Sequence, residues 1–354
     1  MTVKIDLSLN AVALTASLVD IRSVSGDETG LADAIERALR TLPHLSVQRD
    51  GNAVVARTTL GRAERVILAG HIDTVPVAGN LPSSSDRDRI YGCGSSDMKS
   101  GIAVQLRLAA LATSPSRDLT YVFYDCEEVE AARNGLLRLS HNFPELLAGD
   151  LAILLEPTGG VIEGGCQGSL QADIMARGRR AHSARPWLGH NAIYEAVEVL
   201  SLLRGHAGRE PDIDGLSYLE ALSAVGISGG GPAANVIPDG CTVTVNFRFA
   251  PDRTEEQAIT FVHEFFPRWD VTVTDVVGGS RPGLGLPAAA ALVSATGKPP
   301  RAKLGWTDVA RFEKLGIPAL NYGPGNPDVA HSSEEYVEAA AISQCETVLQ
   351  TWLS

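Results

Sequence analysis

The 354-residue sequence has little that would tie it to a membrane, a nucleic acid or an oxidising compartment. Its apolar runs are short and broken by charge, as at 102–111, so none reaches the roughly 20 consecutive apolar residues of a bilayer span. Basic runs are absent. Thirty Lys and Arg stand against 42 Asp and Glu, a formal charge of −12, which excludes a surface built to track a phosphate backbone. The five cysteines, at 93, 126, 166, 241 and 345, form no CxxC pair and no even framework, so they read as reduced thiols. No internal repeat is present, and GGGP at 229–232 lacks the Lys-Ser/Thr that would make it a phosphate loop. The first 20 residues carry Asp6 and Asp20 and no small-residue cleavage site; they read as an amphipathic helix, and a cytoplasmic location is expected.

What is present suits a globular chain. Hydrophobic residues make up 44% and charged residues 20%, enough apolar surface for two domains or for one large domain with an insertion. Helix-period segments alternate with short β-branched runs, which predicts an α/β fold. Helices are expected over 28–41 and 100–113 and strands over 45–57 and 65–69. Continuous apolar runs at 119–125 and 151–156 predict strands buried on both faces. Near residue 168 the pattern changes to exposed alternation in SLQADIMARGRRAHS (169–183), and this strand with strands at 241–251 and 268–276 and helices at 191–205 and 253–267 forms a separate β-α-β-α-β grouping. The domains are therefore read as 1–169 with 281–354, and an inserted 170–280, the stretch 278–283 being a linker.

Three predicted strands end in potential metal ligands, and in open α/β sheets ligands gather at the carboxyl ends of strands. His71 and Asp73 lie two apart in GHIDTVP, so one can ligate while the other orients it. Asp97 sits in a Gly/Ser-rich turn entering a helix, where a capping role is the simpler alternative. Glu127 and Glu128 follow a buried strand on which charge is costly unless paired or metal-bound. Consecutive strand residues face opposite ways, so both enter one site only if the backbone leaves strand geometry there. Glu156 closes the next strand and His331 supplies a second imidazole. Two His and three carboxylates, with one Glu to spare, suit a pair of Zn²⁺ ions sharing a carboxylate, and hence metal-assisted hydrolysis.

These motifs, in this order, resemble the dizinc deacylase and exopeptidase family that includes acetylornithine deacetylase and carboxypeptidase G. YGCGSSDMKSGIAV, YDCEEVE, LLEPTGG and GRRAHSARPWLGHNAI are most similar to its actinobacterial desuccinylase branch. The resemblance implies a zinc-exopeptidase-like mixed sheet flanked by helices, with an inserted ferredoxin-like α+β unit that acts as lid and dimerisation domain. It implies His71 and Glu156 on one Zn²⁺, Glu128 and His331 on the other, Asp97 bridging, Asp73 behind His71, and a cis peptide between Asp97 and Met98. Co²⁺ or Mn²⁺ are possible substitutes. Glu127 becomes the general base, and His182 reaches a partner's site in a homodimer to stabilise the oxyanion. Asn235 and Arg248 match substrate-contacting positions, with Ser169, Asn326 and Thr307 as lesser candidates. The chemistry implied is amide hydrolysis of an N-succinyl amino acid, N-succinyl-LL-2,6-diaminopimelate first. An acetylornithine deacetylase or related deacylase is the alternative, and a metal-stabilised binding protein on the same fold a third reading. Arg22 departs from the family pattern in a loop that leaves the metals untouched, and LGWTDVARF at 304–312 differs from the Gly/Ser-rich loop of many desuccinylases, which bears on the pocket for the succinyl or diaminopimelate end.

Overall fold

A computed structural model describes residues 4–354, which divide into two compact units. The first comprises residues 4–164, 282–301 and 308–354; the second comprises 165–281 and 302–307. The second unit thus starts at Gly165 rather than 170, and it includes a short return segment that the sequence pattern had assigned to the other unit.

The first unit is built on a mixed sheet whose central strands, in spatial order, are Ala53–Arg57, Asp118–Tyr124, Arg65–His71, Leu151–Leu154 and Ala319–Asn321. The last four pair parallel, and every residue of Asp118–Tyr124 and Leu151–Leu154 is buried, which is why these runs read as unbroken apolar stretches. The expected strand over 45–57 is a hairpin, Ser46–Asp50 and Ala53–Arg57, turning at Gly51 with φ of +59°, where a side chain would be strained. On one face, Leu14, Leu18, Leu31, Ile35, Ile102, Leu106, Leu349 and Trp352 pack over Val66, Leu68, Leu119, Tyr121 and Ile153. The N-terminal helix is shorter than its pattern suggested. It runs Ala11–Val19, starting where the Asn10 side chain accepts the Ala13 N–H, while the first three residues of the expected helix lie outside the described residues.

The second unit is β-α-β-β-α-β rather than β-α-β-α-β. Its four antiparallel strands lie in the order Ala221–Gly229, Gly240–Phe249, Gly168–Arg177, Asp270–Val277. Helices Ala192–Gly205 and Glu255–Phe265 cover one face, and Leu170, Ala172, Ile174, Val243, Val245, Phe247 and Phe249 meet Ala192, Ala196, Val199, Ala258 and Val262 there. The strand that sequence reading missed, Ala221–Gly229, buries only Leu222 and is rich in small residues, so it carries no alternation.

Glu220 leads into that strand and is 3% exposed. Its Oε1 accepts from Arg209 at 2.9 Å, Arg253 at 2.8 Å and the Ala250 N–H at 3.0 Å. Burial opposes its ionisation, yet these donors outweigh burial and hold its carboxyl below the usual carboxylate range. A depressed folded value contributes stability above the unfolded pKa of about 4.3 that is lost as pH falls through the folded value. Glu220→Gln is therefore expected to lower unfolding free energy by about 2 kcal/mol at pH 7. The variant should also lose stability less steeply below about pH 4.3 than the native chain, as read by urea melts across pH.

Candidate metal centre

His71 closes the strand Arg65–His71, whose register sets it opposite Tyr124. On the other side Ala69 pairs with Leu154, so Glu156, two residues beyond, comes level with His71. Register alone thus delivers an imidazole and a carboxylate to one row at the sheet's carboxyl edge.

Glu127 and Glu128 arrive through a turn. Their strand ends at Tyr124, and Cys126 takes φ of +55°, so the chain has left the pleat before the two acids are reached. Asp73 fixes the backbone of both acids: Oδ1 accepts the Glu127 N–H at 3.0 Å and Oδ2 the Glu128 N–H at 3.1 Å and the Ser25 hydroxyl at 2.7 Å. One residue earlier, Oε1 of fully buried Glu28 accepts the Cys126 N–H at 3.2 Å and its thiol at 3.3 Å.

Asp97 is presented in the same manner. The buried Glu335 carboxylate accepts the Gly94, Ser96 and Asp97 N–H groups at 2.8, 2.9 and 2.9 Å, and the Asp97–Met98 peptide is cis. Its two oxygens then face two imidazoles: Oδ1 lies 3.1 Å from His71 Nε2, and Oδ2 lies 3.3 Å from His331 Nε2. His331, with φ of +62°, also sets Nε2 2.8 Å from Glu128 Oε1. Three sets result, each with donor atoms within 4.8 Å of one another: His71, Asp97 and Glu156; Asp97, Glu128 and His331; His71, Glu127 and Glu128.

This donor set fits two cations. His71 Nδ1 sits 3.1 Å from the Asp73 carbonyl oxygen, which accepts and so requires the proton on Nδ1, leaving the Nε2 lone pair aimed at Asp97. An imidazole lone pair and a carboxylate oxygen 3.1 Å apart repel unless a proton or a metal ion joins them. With protons alone the set is strongly perturbed. Burial opposes charge on His71, but hydrogen bonds to Asp73 and Asp97 outweigh it and draw the ring well above the usual range. Asp97 and Glu128 lift His331 to about 10. Burial works against ionised Asp97 too, yet bonds from His331 and His71 pull its carboxyl far below the usual range. Divalent ions satisfy the same lone pairs directly, and with N and O donors and no Cys the set suits Zn²⁺ or a similar ion. Glu127 behaves differently. Burial pushes its carboxyl well above the ordinary range, opposed by His71 and reinforced by Asp308, Glu156 and Glu128, the direction a proton carrier needs.

The structure therefore brings His71, Asp73, Asp97, Glu127, Glu128, Glu156 and His331 together. Asn326 lies beside the Asp97 turn, its N–H donating to Ser96 Oγ at 2.9 Å. His182, Asn235, Arg248, Ser169 and Thr307 belong to the second unit. There His182 pairs with Val236 across a two-residue ladder and the Ser183 N–H donates to the Asn235 carbonyl at 2.8 Å, so His182 and Asn235 are neighbours. His182 Nδ1 accepts the Ala184 N–H at 3.1 Å, which places the neutral ring's proton on exposed Nε2. Arg248 stands opposite Ser169, on the sheet face away from the helices.

Sequence reading missed Glu28, Glu335 and Asp308. Asp308 is fully buried, bonded to Asn134 at 3.0 Å and to Arg311. Glu335 lay within the VAHSSEE motif, and its place four residues after His331 was the available signal; Glu28 had none beyond following a Gly-Asp turn.

All five cysteines are buried, and burial with the Glu28 contact pushes the Cys126 thiol up to about 12. A thiol-exchange reagent at pH 8 is expected to find less than one equivalent in the native protein and all five after denaturation. Two or more rapidly reacting native thiols would contradict the packing described.

Residues 67–354 match the model of peptidase family M20/M25/M40. Over 352 residues, 99% of each chain, the sequence is 52% identical to a Mycobacterium tuberculosis protein named as a candidate succinyl-diaminopimelate desuccinylase. Over 363 aligned positions it is 48% identical to the Corynebacterium glutamicum succinyl-diaminopimelate desuccinylase, covering 99% of this chain and 98% of that one. Among solved structures, a Staphylococcus aureus tripeptidase superposes with a TM-score of 0.81 at 20% identity, covering 99% and 98% of the two chains. A Bacillus subtilis protein described as a dinuclear metal-binding peptidase of the M20 family gives 0.69 at 15%, covering 97% and 96%. At such identities the structural likeness speaks for the fold.

Proposed function

The chain belongs to peptidase family M20/M25/M40, and from that premise we propose that it is a dizinc amidohydrolase cleaving N-succinyl-LL-2,6-diaminopimelate to succinate and LL-2,6-diaminopimelate, a step of lysine and diaminopimelate synthesis. The observation that carries the chemistry is the pair of overlapping donor sets that share Asp97, with Glu127 beside them. Near full-length identity of about half to desuccinylases carries the substrate.

His71 and Glu156 would hold one ion and Glu128 and His331 the other, with Asp97 between; Co²⁺ or Mn²⁺ could replace Zn²⁺. Bound there, the ions supply Lewis acidity for water and for the scissile carbonyl. The chain's residues do the rest. Asp73 holds the His71 ring in the tautomer that offers Nε2 and sets the Glu127 and Glu128 backbone. Glu127, its carboxyl raised by burial, takes a proton from the attacking water as the new C–O bond forms and then delivers it to the leaving amine nitrogen as the C–N bond breaks. His182 donates from Nε2–H to the oxygen that gathers charge. Arg248 and Asn235 are assigned to the substrate's carboxylates, which a chain of net charge −12 must meet with local donors.

His182 is assigned to the site of a second copy. Among the described residues, Ala221–Gly229 is an edge strand with Val225 and Ile227 60% and 58% exposed, and the nearby helix Ala192–Gly205 leaves Tyr194 71% exposed. A bare apolar edge of this kind is normally covered, and a two-fold axis would pair it antiparallel with itself.

Glu127→Gln is expected to retain bound zinc and lose about 10²–10⁴-fold in kcat. Unchanged turnover would remove Glu127 from the mechanism. Succinylated diaminopimelate should be turned over in preference to acetylornithine, and the reverse order would overturn the substrate assignment. Mixing Glu127→Gln with His182→Ala chains should restore activity that neither has alone, because one mixed site regains both groups. Absence of restoration in verified mixed dimers would place His182 elsewhere.

A further inference from the structure

We propose that Glu28 is a positioning residue for Glu127, an inference that rests on the reading of Glu127 as general base. Cys126, Glu127 and Glu128 offer three successive backbone N–H groups, and the second and third are held by Asp73. The first is held by Glu28 Oε1 at 3.2 Å. That first residue sets the direction of the turn. Cys126 has φ of +55°, a left-handed region that residues with a Cβ seldom enter, so the turn persists only where neighbours over-determine it. Rotation there would swing both acids together, carrying the base away from the water it must reach.

Among the described residues the Glu28 carboxylate bonds only to this turn, to Gly26 and to Asn52. Glu28 stands at the N-cap of the helix Thr29–Leu39 but its side chain makes no capping bond. It is 0% exposed and instead turns back. Oε1 accepts the Gly26 N–H at 2.7 Å, the Cys126 N–H and the Cys126 thiol at 3.3 Å, while Oε2 has only Asn52 Nδ2 at 3.5 Å. Gly26 and Ser25 belong to the same turn, and Ser25 Oγ bonds Asp73, so residues 25–28 form a brace spanning the two carboxylates that hold the 126–128 backbone. One oxygen takes every bond that matters. The requirement is thus for an acceptor at that position, not for a negative charge.

Three variants separate position from charge. Glu28→Gln keeps an oxygen at the Oε1 position and loses the charge. Glu28→Asp keeps the charge and withdraws it by one methylene. Glu28→Ala removes both. Steady-state kinetics with the succinylated substrate, bound-metal content and hydrogen exchange of the peptide spanning 125–130 are measured on the metal-loaded full chain. The expected result is that Gln stays within about threefold of native kcat, whereas Asp and Ala fall about 10–100-fold with KM little changed and metal retained. In Asp and Ala the amides at 126–128 should exchange faster than in the native and Gln proteins. If Ala does not fold, the Gln and Asp pair decides. Gln falling with Asp retained, all three falling alike, or all three staying at native kcat each overturns the inference. A native protein that does not turn over the succinylated substrate defeats the functional reading instead, and the exchange pattern then still decides whether Glu28 sets the turn.

Discussion

Like charges held close in a half-buried edge of a sheet dominate the first unit. Asp97, Glu127, Glu128 and Glu156 lie around two imidazoles, within a region where ionised groups without partners are expensive. Protons alone meet that demand only by forcing His71 and His331 upward and Asp97 downward, while Glu127 is driven the other way. The divergence of Asp97 and Glu127, two carboxyl groups in one site, is the pattern expected of the ligand and the proton carrier proposed above. Level parallel strands and left-handed backbones at Cys126 and His331 bring these groups together.

The restraint is applied through the backbone more than through the reactive side chains. Glu335 gathers the N–H groups before Asp97, Asp73 those of the two glutamates, and Glu28 the one before them. Each is a buried acid whose oxygens accept peptide N–H groups at 2.8–3.2 Å. The arrangement leaves the side-chain oxygens of Asp97 and Glu128 facing imidazoles, the geometry a shared cation requires.

Sequence showed those features whose physics leaves a compositional trace. Strands buried on both faces at 118–124 and 151–154 must be apolar throughout, so they were visible, and acids at their ends stood out against them. Alternation in Gly168–Arg177 and Gly240–Phe249 marked the second unit as a separate grouping, but its ferredoxin-like class was implied by the family resemblance and not by the pattern, which lacked one strand. The edge strand Ala221–Gly229 was invisible because only one of its side chains is buried. The braces at Glu28 and Glu335 were hidden for a different reason. Accepting from peptide N–H groups makes no demand on the identity of the residues contacted, and the partners lie 98 and 238 positions away in the chain.

The span of sequence that must come together has a consequence for synthesis. Ser25 and Glu28 reach the site from one end of the chain, and His331 and Glu335 from the other. A growing polypeptide that has not yet delivered His331 offers Asp97 one imidazole neighbour, and its loop lacks the carboxylate that shapes it. Such a chain can lay down most of the sheet, but it cannot grip a second ion. On the proposed ligand assignment, chains truncated before His331 should therefore be incapable of hydrolysis, and loading of both ions would wait for delivery of His331 and Glu335.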